Sequence, residues 1–155
     1  MKWNDWLENG KLTSLKFNAG FLALEFKPQD EDKNAAWEMY IELLTRITTQ
    51  PLAQESGDEK TALDSIYTLF AITREVIKRN GRGCIEFTRI AIVILNQKVR
   101  PFTAKWHKES LAGAFDNINK CKEFRIELKE LQRILVIYTE ILANMAGIED
   151  LKIVE

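Results

Sequence analysis

Apolar residues recur at three- and four-residue spacing through most of this chain and at two-residue spacing only near its start. Trp37, Tyr40, Ile41, Leu44 and Ile47 predict a first helix over about 31–49. Asp30, Glu31 and Asp32 lie at its start, where the helix dipole favours negative charge, and Pro51 ends it. After a polar connection over 51–58, Asp58 caps a second helix that runs to about Asn80. Its stripe is Leu63, Ile66, Tyr67, Phe70, Ile72 and Ile77, and Asn80-Gly81 is the stop signal. Ile85, Ile90, Ile94, Val99, Phe102 and Trp106 keep nearly helical spacing across Pro101, which predicts one kinked third helix over about 84–110. In the fourth helix Phe124, Leu128, Leu131, Leu135, Tyr138, Leu142 and Met145 step by four and three alternately. Ile134, Ile137 and Ile141 widen that seam, Gly147 supplies a left-handed stop, and Ile148 can fold back on the helix.

Before residue 30 the pattern differs. Trp3, Trp6 and Leu7 fit one short amphipathic turn ending at Asn9-Gly10. Phe17 on one side of Ala19-Gly20, and Leu22, Leu24 and Phe26 on the other, predict a short β-hairpin within 12–27 that must lean on the helices. The expected architecture is mainly all-α. It is a single domain over 1–155, with an N-terminal turn and hairpin over 1–29 and an antiparallel four-helix bundle over 30–148.

Composition adds mostly exclusions. The 155 residues are 46% hydrophobic and 29% charged, the balance of an ordinary globular domain. A net charge of −1 gives no global attraction to nucleic acid or membranes, although a local patch is compatible with it. Cys84 and Cys121 are too few for a disulfide scaffold and read as reduced thiols in or near the core. With one histidine and two scattered cysteines, no metal site and no cofactor are expected. The start of the chain has no signal-peptide pattern, and the longest apolar run, Ile90–Leu95, is far short of a membrane span, so a cytoplasmic protein is expected.

The densest chemistry lies in Val99-Arg100-Pro101-Phe102-Thr103-Ala104-Lys105-Trp106-His107. Histidine titrates near neutrality, and Arg100 and His107, seven apart, share one helix face. This Arg-x6-His spacing resembles the motif of the HEPN superfamily, helical bundles that are often metal-independent ribonucleases. The resemblance implies His107 as general acid or base and Arg100 as the stabiliser of phosphate charge. The family motif commonly has a small polar residue directly after the arginine, where this chain has Pro101. The competing structural reading has His107 donating to a carbonyl at a helix end, with Arg100 an ordinary surface or bundle-end cation.

A second candidate is the basic turn of Arg74, Lys78, Arg79, Arg82 and Arg89, where Gly81 and Gly83 let backbone amides approach an anion. The same cations also suit a helix C-terminus. Glu38, Glu42, Asp58, Glu59 and Asp64 raise the question of a two-metal carboxylate site. That site needs Glu-x-x-His, and Ala104 stands three residues before the lone His107. Trp3 and Trp6 are expected either to clamp the N-terminal segment or to cover a partner. With no catalytic constellation beyond Arg100 and His107, the expected function is a small interaction or assembly module without activity of its own. Its partner would be a second copy or another protein, met through apolar helix faces. The alternatives are the ribonuclease and a nucleic-acid-binding accessory domain using the 74–89 turn.

Overall fold

The computed structural model describes residues 2–10, 15–16, 22–46, 48–53, 58–148 and 151. The chain is mainly helical, and among the described residues there is no β-strand. Helix α1 (Trp3–Asn9) is a short turn that buries Trp3, Trp6 and Leu7. Helix α2 (Asp30–Leu44) starts where the acidic triplet predicts, but it ends five residues before the expected 49. Threonine hydroxyls explain the early stop. Thr45 Oγ1 donates to the Ile41 carbonyl at 2.8 Å, and Thr48 Oγ1 and Thr49 Oγ1 both donate to the Leu43 carbonyl, at 2.6 and 2.9 Å. The last carbonyls of the helix are thereby satisfied without another turn.

The expected second helix is two, α3 (Glu59–Tyr67) and α4 (Leu69–Asn80), with a turn at Thr68 whose hydroxyl donates to the Ser65 carbonyl. Asp58 caps α3 by accepting from Thr61 N at 3.1 Å. Gly81, at φ 75° and ψ −163°, ends α4 in a conformation open essentially only to glycine. A 3₁₀ turn (Gly81–Cys84) leads into α5 (Ile85–Ile94). The kink expected near Pro101 takes the form of a π-helical turn (Leu95–Val99) followed directly by α6 (Arg100–Leu111). The wider π turn relieves the backbone where proline offers no N–H and crowds the preceding turn. It also turns Gln97 outward. The Gln97 amide accepts from Lys16 N at 2.9 Å and donates to the Lys16 carbonyl at 2.5 Å.

Helix α7 (Ile118–Ala146) begins at Asn117, whose Oδ1 accepts from Asn119 N and Lys120 N at 2.9 and 3.2 Å. It ends as the sequence predicts. Gly147 is left-handed at φ 70°, and Ile148 N reaches back to the Ala143 carbonyl at 3.0 Å. The seam residues Phe124, Leu128, Leu131, Leu135, Tyr138, Leu142 and Met145 are all buried, and α2 packs along α7. Residues from α1 to α7 join one hydrophobic cluster.

The N-terminal hairpin is not seen among the described residues. Residues 11–14 and 17–21 lie outside the described residues. Over 22–26 the chain makes only an isolated antiparallel bridge between Lys2 and Glu25, with Trp3 N donating to the Leu24 carbonyl at 2.9 Å. The pairing partner here is the lead-in to α1, and Leu22 and Phe26 pack on the core. Among the described residues, no helix is long and apolar enough to cross a membrane.

Candidate functional site

The Arg100–His107 segment is α6, and the structure gives nearly every side chain in it a packing role. Phe102, Thr103 and Trp106 are buried. The Trp106 ring stands edge-on to Phe124 and stacks on Phe115, at 5.2 and 6.0 Å between centroids. Lys105 lies over the Trp106 ring and bonds Glu127 and Glu123 on α7, at 2.6 and 3.0 Å. Those two carboxylates, Glu127 first, hold the Lys105 ammonium above its ordinary pKa.

Arg100 and His107 share one side of α6, as their spacing requires, and that side meets the junction of α3 and α4. The Arg100 guanidinium lies 4.7 Å from the centre of the Phe70 ring, and its Nε donates to Asn96 Oδ1 at 3.2 Å. His107 packs its ring on Tyr67 at 4.9 Å, and Tyr67 touches Phe70 at 5.8 Å. The two candidates are therefore linked through an aromatic pair, each resting on its own ring. Seven residues of helix separate their backbones by about 10 Å. The carbonyl contact expected of His107 is not made by Nε2, which is buried without a hydrogen-bond partner. Trp106 Nε1 and Tyr138 Oη share that condition. Burial pushes the Tyr138 phenol far above its usual value, which keeps it protonated.

The basic turn divides in two. Arg79 Nε donates to Glu38 at 2.9 Å, and Arg89 pairs with Glu86 at 3.2 Å. Arg74, Lys78 and Arg82 are exposed and, among the described residues, pair with no carboxylate. Arg74 follows Phe70 by one helical turn, so it stands on the Arg100 side of α4. Phe70 therefore links Arg100 to the helix that carries Arg74. Tyr67 is the member that sequence reasoning missed. Its spacing fits the apolar stripe, yet it is 53% exposed. A signal existed: Ile66 and Tyr67 are adjacent, about 100° apart on a helix, and Ile66 is fully buried.

Trp3 and Trp6 are buried. Trp3 Nε1 donates to Glu86 Oε2 at 2.7 Å and Trp6 Nε1 to Asn144 Oδ1 at 3.3 Å, while Phe26 stacks on Trp6 and meets Trp3 edge-on. They clamp the N-terminal segment to α5 and α7, and neither ring is presented to a partner. Comparison with protein-family models, with curated proteins and with solved structures returns no match. The site's chemistry is therefore argued from its own residues.

The remaining candidates supply no second site. Of the acidic residues, Glu38 binds Arg79 and Asn80, Glu42 binds Arg46, Glu59 binds Arg125, and Asp64 binds Lys60. Asp58 is held below the ordinary carboxylate range by the hydrogen bonds from Thr61. Among the described residues, no three metal-ligating side chains stand together. Burial raises the Cys84 and Cys121 thiols, the opposite of an activated nucleophile.

Proposed function

We propose that this chain is an interaction module without catalytic activity of its own, which assembles with a second copy of itself. The reading takes α2, α3–α4, α5–α6 and α7 as four arms of an antiparallel bundle. The observation that carries it lies on the outside of that bundle. Leu111 at the end of α6 is 91% exposed, Ile118 at the start of α7 is 75% exposed, and Ile126 two turns further along is 63% exposed. Three large aliphatic side chains on one corner and the adjoining helix face are a cost in water that an interface removes. Ile126 also borders a groove of about 310 Å³ whose walls include Pro51, Leu52 and Leu128.

A second copy suits this surface because a net charge of −1 sets up almost no repulsion between copies. An ordinary specific interface covers about 800 Å² on each side, more than these three residues present, so neighbouring polar residues must join the contact. The unpaired thiols Cys84 and Cys121 support a reducing compartment such as the cytoplasm.

Sedimentation velocity from about 1 to about 100 µM is the test, since mass action shifts a micromolar dimer over that range. The expected result is a species heavier than 18 kDa that returns to 18 kDa in Leu111→Ser/Ile118→Ser/Ile126→Ser. The melting temperature should change little, because exposed positions typically contribute within about 0.5 kcal/mol each. An 18 kDa wild type at every concentration, or a triple variant that still associates, would overturn the proposal.

A further inference from the structure

The arginines divide evenly between those held in ion pairs and those that are not. Of the eight arginines, Arg46, Arg79, Arg89 and Arg125 are in ion pairs, and Lys60, Lys105 and Lys120 are as well. Among the described residues, Arg74, Arg82, Arg100 and Arg133 pair with no carboxylate. Three of these four lie on α4, the turn after it, and the start of α6. Glu75, the neighbour of Arg74, points instead into the groove between α2 and α4, where it lines a wall with Trp37 and Ile72.

Within this basic face stands the half-exposed Tyr67 ring, backed by His107 and Phe70. Arg100 is already fixed in place, its plane over Phe70 and its Nε on Asn96, and its terminal N–H groups make no hydrogen bond among the described residues. The exposed Tyr67 ring, with guanidinium groups on the neighbouring α4 and α6 and the nearby Asp64 already paired with Lys60, suits a ligand that alternates flat rings with phosphates. We propose that this face binds single-stranded nucleic acid, with a base stacked on Tyr67 and the flanking phosphates held by Arg100 and Arg74. Lys78 on α4 and Arg82 on the turn after it extend the phosphate track. The bases are held by stacking, so binding tolerates any sequence. A duplex keeps its bases stacked on one another and cannot use the platform. The proposal uses none of Leu111, Ile118 and Ile126, so anisotropy tests it apart from self-association.

The experiment is fluorescence anisotropy with a fluorescein-labelled oligouridine of about twelve nucleotides, within the range that single-strand sites cover. Binding should weaken as salt rises, and Arg74→Ala and Arg100→Ala should each lower the slope of log affinity against log salt by about 0.7. Tyr67→Ala should reduce affinity about tenfold, the loss of one stacked base. Tyr67→Leu, which keeps an apolar cover over Phe70 and His107, should show the same loss with an unchanged melting temperature. Arg133→Ala on α7 should leave binding as it is. Four results would overturn the proposal: no binding at low salt, affinity indifferent to both Tyr67 variants, equal binding of a duplex of the same length, or equal competition by polyglutamate.

Discussion

Two aromatic clusters with polar handles occupy different parts of this molecule, and they are finished to different degrees. In the first, Trp3, Trp6 and Phe26 pack ring against ring, and each indole N–H meets an acceptor, Glu86 on α5 and Asn144 on α7. In the second, Tyr67 is half in solvent, and the His107 ring packed on it has its Nε2 buried without a partner. Arg100 and Arg74 there meet no carboxylate among the described residues. Satisfied polar groups around buried rings are what stability requires. Exposed guanidinium groups without a carboxylate add little to the fold, and they are what a ligand would use. The first cluster is structure, and the second is available surface.

The largest effect that would break this contrast is at Trp3. It is fully buried, touches two other rings and donates to Glu86, so Trp3→Ala should cost about 3–5 kcal/mol. Urea denaturation followed by circular dichroism measures it. A loss under about 1 kcal/mol would mean that the N-terminal helix is an ornament on the rest.

Asp32 comes next, at the same junction. Its buried carboxylate accepts from Gln29 N at 2.7 Å and from Phe87 N at 2.9 Å, serving the starts of α2 and α5 together. Asp32→Ala leaves two donors without this acceptor and should cost about 2–4 kcal/mol in the same titration. Asp32→Asn should recover only part of that, since its amide nitrogen would face one of the two N–H groups. Full recovery would show that the negative charge and the second acceptor are irrelevant.

Glu86 sharpens the comparison through pH. Burial raises its carboxyl above the ordinary 4.5, outweighing the Trp3 hydrogen bond and Arg89. Above pH 4.5 the folded state therefore holds the proton more tightly than the unfolded state, and stability falls as pH rises through that window. Glu86→Gln keeps an oxygen for Trp3 Nε1 and does not titrate. Its stability relative to wild type should rise with pH from about 4.5 and level off once the folded carboxyl is ionised. A difference flat in pH would place Glu86 in water, outside the cluster.

Much of the frame was legible in the sequence because it is local. The alternating steps from Phe124 to Met145 with Gly147 marked α7 and its end, and Asp58 and Gly81 marked caps that the structure contains. What escaped was non-local, or a competition between neighbours. Ile47 extended an apolar period, whereas the hydroxyls of Thr45, Thr48 and Thr49 closed α2 at Leu44. The Asp32–Phe87 tie spans 55 residues and leaves no periodic trace. For the candidate site, spacing put Arg100 and His107 on one face, but it could not reveal that Tyr67 and Phe70 lie between them. It also could not reveal which arginines of the basic turn have carboxylates within reach.

The contrast between the clusters is tested most directly by measuring Trp3→Ala and Tyr67→Ala side by side, for urea stability and for oligouridine affinity. Trp3→Ala should lose about 3–5 kcal/mol, and measured where it remains folded it should bind the probe as wild type does. Tyr67→Ala should lose no more than about 1 kcal/mol of stability, as a half-exposed ring, and about tenfold in affinity. Equal losses of stability in the two variants, or an affinity that follows Trp3 rather than Tyr67, would contradict the account.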